Sequence, residues 1–252
     1  MEKRSWQDME ARRHILLVPG NHESAWALSD GLEENNRQEW VAYCLAPFAN
    51  FANRFYRGCV VWDLERQCFR VSFENPAVTF IAMSTCHGIT RDDTAGGFTE
   101  HVLRKARRDL DHEESRSAEF RIGLWHHNLS AFSGGASVAR NTDLAVSTLA
   151  CGEEPGLDLA LHGHVHIGEL ETYRARNERK LAYVAVGSFG VRAAHRPGDE
   201  RRGHYPNEFA VISIQKTARG ARRVSVEFFK ASLDPNNNWS WIRPDRPVTV
   251  VL

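Results

Sequence analysis

Three apolar runs in this 252-residue chain stop abruptly in polar loops that carry histidine. His14-Ile15-Leu16-Leu17-Val18 runs into Pro19-Gly20-Asn21-His22-Glu23. Phe120 to Trp125 runs into His126-His127-Asn128, and Leu157 to Leu161 runs into His162-Gly163-His164-Val165-His166. A short apolar run bounded by such a loop reads as a buried strand. Ligands of open α/β sheets gather at the carboxyl ends of strands. Three such loops on one rim bring nitrogen and oxygen donors together. Imidazole with amide or carboxylate oxygen suits Mn, Fe, Zn, Co or Ni. No cysteine falls in these loops, which argues against a structural cysteine-zinc site.

The remaining pattern places these loops on a mixed α/β chain. Ser5 to Arg13 reads as a polar helix. Gln38 to Phe55, with Trp40, Tyr43, Phe48, Phe51 and Phe55, reads as an amphipathic helix or lid. Cys59 to Leu64 and Cys68 to Phe73 read as strands of a hairpin joined by Glu65-Arg66-Gln67. Ala77 to Met83 reads as a central strand. Thr99 to Leu110 and Asn141 to Cys151 read as helices. Strands follow at Glu169 to Tyr173, Leu181 to Val186, Phe209 to Ile214 and Val224 to Phe229. Ala193 to Asn207 reads as a surface loop. No repeat or linker divides the chain, so one α/β domain over 1–252 is expected.

Composition excludes several classes. Lys+Arg and Asp+Glu both number 32, so no global basic field points to nucleic acid. Arginine-rich spots such as Arg104 to Arg108 and Arg201-Arg202 read as solvated surface. Five cysteines occur, an odd number, with no CxxC pair. Met1 to Arg13 has no apolar signal core, and no stretch approaches the ~20 apolar residues of a membrane span. A cytoplasmic chain with free thiols is the expectation. No G-x-S-x-G, G-x-G-x-x-G or Walker loop appears, and adjacent Cys86 and His87 do not make a catalytic dyad.

The set Gly20-Asn21-His22-Glu23, His126-His127-Asn128 and His162-Gly163-His164-Val165-His166, in this order, resembles the calcineurin-like metallophosphoesterase superfamily. The resemblance covers about residues 14–215. It implies a four-layer αββα sandwich flanked by helices. It also implies two divalent ions and hydrolysis of a phosphomonoester or phosphodiester by metal-bound hydroxide. Carried over, Asn21, His126 and His164 hold the second ion, and His166 holds the first. His126 is favoured over His127 because the first histidine of the pair matches the family pattern. His127 either lines the substrate side or packs behind the site. His22 acts as the acid that protonates the leaving alkoxide or steadies the phosphoryl group. Glu23 either holds a hydrogen bond behind the ligands or caps the next helix. His14, His87, His101, His112, His162 and His204 read as core or surface histidines. Ser84 and Cys86 read as strand-end packing.

The chain departs from the family at its start. The family opens with Asp-x-His and Gly-Asp loops, which supply the remaining ligands of the first ion and the bridging carboxylate. No Asp-x-His occurs, and the one Gly-Asp, Gly198-Asp199, follows the last histidine loop. The ligands that remain are all neutral, so two adjacent cations would repel with little compensation. The expectation is loss of the first ion and weak retention of the second. Three explanations stay open: an N-terminal segment missing from this sequence, a partner chain that completes the site, or a degenerate relative with a binding or scaffold role.

Overall fold

A computed structural model describes residues 9–24, 41–89, 95–129, 139–150, 155–165, 167–174, 180–187, 198–199, 203–204, 207–217, 221–233, 239–243 and 246–252. The early part of the polar helix, Trp40, Cys151, His166, Arg201-Arg202 and most of Ala193 to Asn207 lie outside them.

The central layer is a six-stranded mixed sheet in the order β1-β2-β3-β4-β6-β5. Its strands are β1 (Cys68–Glu74), β2 (Ala77–Met83), β3 (Phe120–Leu124), β4 (Leu159–His162), β5 (Glu169–Arg174) and β6 (Lys180–Ala185). β2, β3, β4 and β6 run parallel, and β1 and β5 close the edges antiparallel. A two-residue ladder pairs β7 (Gly198–Asp199) with β8 (Gly203–His204). A second, antiparallel sheet holds β9 (Glu208–Lys216), β10 (Arg222–Leu233), β11 (Trp239–Ile242) and β12 (Val248–Val251). The chain is therefore a mixed α/β protein with two main sheets.

Side-chain alternation assigns the faces. Phe120, Ile122, Leu159, Ala182 and Val184 of the first sheet pack on Val224, Val226 and Phe228 of the second. Asp158 stitches the two sheets: it accepts the backbone N–H of Arg121 at 2.9 Å and pairs with the guanidinium groups of Arg121 and Arg222. Pairing offsets the cost of burying the carboxylate.

The opposite face of the six-stranded sheet is covered by helices α3 (Glu100–Asp111) and α5 (Thr142–Leu149), with the short α4 (Glu113–Ser117) between them. α3 starts where the Thr99 hydroxyl accepts the Val102 N–H at 3.2 Å, and Glu100 favours the positive end of the helix. Its Val102, Leu103, Ala106 and Leu110 are buried on one stripe. Truncating Leu103 to alanine would cost about 2–5 kcal/mol.

A short helix α1 (Met9–Arg12) leads into the first histidine loop. A π-helical turn at Val41–Leu45 runs into helix α2 (Ala46–Tyr56), where Pro47 occupies the first turn. α2 ends at Arg57, whose left-handed backbone lets its N–H reach the Asn53 carbonyl at 3.0 Å. Phe48, Ala49, Ala52 and Tyr56 pack on Trp62, Phe69, Val71 and Ala82, so this helix covers the β1–β2 end of the sheet. Tyr43 and Phe51 of the expected aromatic face point to solvent.

Three expectations are corrected. His14 to Val18 forms no ladder: the Tyr56 hydroxyl accepts the Leu17 N–H at 2.8 Å and donates to the Ile15 carbonyl at 3.0 Å. Cys59 to Leu64 is not a strand either. The Asn53 amide accepts from the Trp62 N–H and donates to the Trp62 carbonyl, standing in for a neighbouring strand. The expected hairpin at Glu65-Arg66-Gln67 is instead a turn held by the Asp63 carboxylate, and β1 pairs with β2 through Asn75-Pro76. Of the four layers the resemblance implies, the described residues show three. Val211 and Trp241, each 44% exposed, lie on the outer face of the second sheet, which no described helix covers. No described helix is long and apolar enough to cross a membrane.

Candidate metal centre

Parallel pairing delivers the site. Ala82 of β2 is registered with Leu124 of β3, and Leu124 with Leu161 of β4. The segments that follow, Ser84 to Cys86, Trp125 to Asn128 and Gly163 to Val165, therefore leave one edge side by side. The ladder continues past the strand ends: the Trp125 N–H reaches the Leu161 carbonyl at 3.1 Å, and the Gly163 N–H reaches the His126 carbonyl at 3.0 Å. These two bonds extend the sheet's pairing to the backbone that carries His126 and leads into His164.

The Asn21 loop docks on that edge from the other end of the chain. Glu23 folds back so that its carboxylate accepts the Gly20 N–H at 2.8 Å, while its own N–H donates to the Gly20 carbonyl at 3.1 Å. Gly20 has to be glycine. A Cβ there would sit 2.8 Å from the Glu23 carboxylate and 2.9 Å from the His126 ring. The buried Cys86 thiol donates to the Pro19 carbonyl at 3.0 Å and ties the loop to the end of β2. Burial pushes that thiol's pKa up, so it stays protonated. Asn21 is buried, whereas His22 and Glu23 are exposed.

The donor atoms then converge. His126 Nε2 lies 2.8 Å from Asn21 Oδ1 and 3.3 Å from His164 Nδ1. His126, His127 and His164 each offer a ring nitrogen, and these lie within 4.8 Å of one another. His127 is completely buried, with Nδ1 2.8 Å from the Thr85 hydroxyl. That contact orients the ring, as partners behind a metal site commonly do. Gly96 makes room for the ring: its φ is +59°, and a Cβ there would overlap His127 and the Thr85 carbonyl.

The spacing fits an ion. Ligands about 2.1 Å from a metal lie about 3.0–3.4 Å from one another in octahedral or tetrahedral geometry. The 3.3 Å separation of His126 and His164 falls in that range, and the 2.8 Å separation of His126 and Asn21 is shorter by a few tenths of an ångström. Among the described residues the three-histidine group holds no carboxylate.

Backbone strain marks the third loop. His164 has φ +70°, a left-handed conformation unusual outside glycine and frequent at functional sites. Gly163 itself does not adopt positive φ. The left-handed residue of this turn is thus the histidine and not the neighbouring glycine, and the Val165 N–H closes the turn on the Gly163 carbonyl at 2.9 Å. His162 faces inward and stacks near Tyr183. Burial, the main cause, lowers its pKa to about 4, with His164 adding to the shift and the Gly163 carbonyl opposing it.

Of the residues singled out in the sequence, Asn21, His126 and His164 come together. His22 stands exposed beside them, and His166 lies outside the described residues. Gly198-Asp199 forms the small ladder with Gly203-His204 and is not in the histidine group. Sequence reasoning left His127 open and missed Thr85. The available signal for Thr85 was its place just beyond the β2 run. Compared with protein-family models and with curated proteins, the chain finds no match.

Proposed function

We propose that this chain is a metal-dependent phosphoesterase of the calcineurin-like type, with Asn21, His126 and His164 holding a divalent ion. The observation that carries the reading is the meeting of three donor atoms, at 2.8 and 3.3 Å, from three separate loops. Their order along the chain is the order the resemblance implies. The packed sheets with helices on one outer face support the αββα sandwich as the parent architecture.

When bound, a divalent ion supplies Lewis acidity toward a phosphoryl oxygen and lowers the pKa of coordinated water. The protein's own residues do the rest. The Thr85 hydroxyl orients the His127 ring. Glu23 holds the Asn21 loop closed. Exposed His22, next to Asn21, reaches outward to protonate the leaving alkoxide of a phosphate ester. His166 is assigned to the first ion by resemblance alone. Free thiols at Cys44, Cys59, Cys68 and Cys86 support a reducing, cytoplasmic setting.

A second reading has its own observation. Among the described residues the histidine group lacks a carboxylate, so its neutral ligands favour one ion over two. In that reading the chain is a metal-binding module, or a part that a missing segment or partner chain completes. The test is hydrolysis of bis(p-nitrophenyl) phosphate and p-nitrophenyl phosphate by the Mn²⁺-loaded protein, with His126→Ala as control. Turnover that vanishes in the control supports the enzyme. Bound Mn²⁺ without turnover supports the module.

A further inference from the structure

Glu208 opens β9 in the second sheet, yet its side chain reaches the rim of the first. The residue is 3% exposed. Its carboxylate lies between two glycines. A Cβ on Gly168 would sit 2.6 Å from Oε1, and a Cβ on Gly187 would overlap Oε2. Neither glycine has positive φ, so close approach explains them: of the Phe228 ring and the carboxylate at Gly168, and of the Glu208 side chain at Gly187. Gly168 ends the loop that begins at Gly163 and carries His164. Gly187 follows β6, next to the point where the Val186 N–H meets the His162 carbonyl at 3.0 Å.

Burial raises the pKa of Glu208, while Lys230, opposite it in the β9–β10 ladder, and the N–H groups of Gly168 and Gly187 favour the charged form. Oε1 makes no well-formed hydrogen bond among the described residues. For packing alone this is a poor choice, because a buried carboxylate with an unfilled oxygen costs stability. An apolar side chain against Phe228 would serve a purely structural role better. We infer that Glu208 is a positioning residue, its carboxylate wedged against the Gly168 and Gly187 backbone so that the His164 loop keeps its ligand geometry. The inference rests on the metal-binding reading above.

The test uses Co²⁺, whose absorption bands report ligand geometry, on the wild-type protein and on Glu208→Gln. Glu208→Gln keeps the volume but turns one acceptor oxygen into a donor facing an N–H. The expected result is Co²⁺ affinity weakened about 10-fold or more, a shifted visible band, and a metal-free melting temperature within a few degrees of wild type. If Glu208→Gln fails to fold, Glu208→Asp keeps the charge with a shorter reach, and the same loss of affinity is expected. An unchanged affinity and spectrum in the folded variant overturns the positioning role alone. Absence of Co²⁺ binding in the wild type overturns the metal reading and this inference together.

Discussion

His126 Nε2 sits 2.8 Å from Asn21 Oδ1 across a sequence separation of 105 residues. Nothing local holds the two together. Asn21 is presented by a turn that Glu23 closes, and His126 by the end of a central parallel strand. As ligands they are unequal: an imidazole nitrogen binds borderline metals more strongly than a neutral amide oxygen. Asn21→Ala is expected to weaken Zn²⁺ binding roughly tenfold, about 1.4 kcal/mol. His126→Ala should reduce it below detection. Competition against a zinc-responsive dye separates the two; equal losses would contradict this ranking, and no loss in Asn21→Ala would remove Asn21 from the ligand set.

His22 is exposed where Asn21 is buried. An acid that serves the leaving group has no need to touch the ion. His22→Ala should retain the metal and lose about 100-fold in phosphodiester turnover. Loss of metal in that variant would make His22 a ligand and not an acid.

Gly96 is the clearest stability probe. Its positive φ and the overlap of any Cβ with His127 and the Thr85 carbonyl penalise alanine twice. Gly96→Ala should destabilise the protein by about 1–3 kcal/mol and weaken metal binding as the His127 ring is displaced. Thermal melts that leave this variant level with wild type would mean that the ring is not packed there.

Alkaline pH should erode stability through Cys68. Burial, with Asp109 adding and Arg66 opposing, raises its thiol from 9.0 to about 11. The folded state therefore binds this proton more tightly than the unfolded state. The contribution is complete below pH 9.0 and is lost as pH climbs toward about 11. Urea unfolding across that window should show falling stability, and Cys68→Ala should flatten the slope. An identical slope in the variant would assign the loss to other groups, such as Tyr56.

Much of the fold was legible because β2, β3 and β4 are apolar runs that stop at polar loops, and because parallel strands buried on both faces read that way. The same signature misled at His14 to Val18 and at Cys59 to Leu64. There, single side chains, Tyr56 and Asn53, take the hydrogen bonds that a neighbouring strand would have supplied. A sequence pattern records which side chains are buried and not which partner satisfies the backbone. The donors Asn21, His126 and His164 were legible from the motif order. The setting of His127 was not, since Thr85 and Gly96 approach it only through the β2–β3 pairing and a loop closed by tertiary contact. Glu208 was equally hidden, as its carboxylate meets two glycines in the segments that flank strands of the other sheet.

The most direct measurement is the amount of Mn²⁺ or Zn²⁺ retained per chain after loading and desalting, on the wild-type protein and on His164→Ala. A centre built on Asn21, His126 and His164 predicts at least one ion per wild-type chain and none in the variant. No ion in the wild type, or the same amount in both, would contradict it.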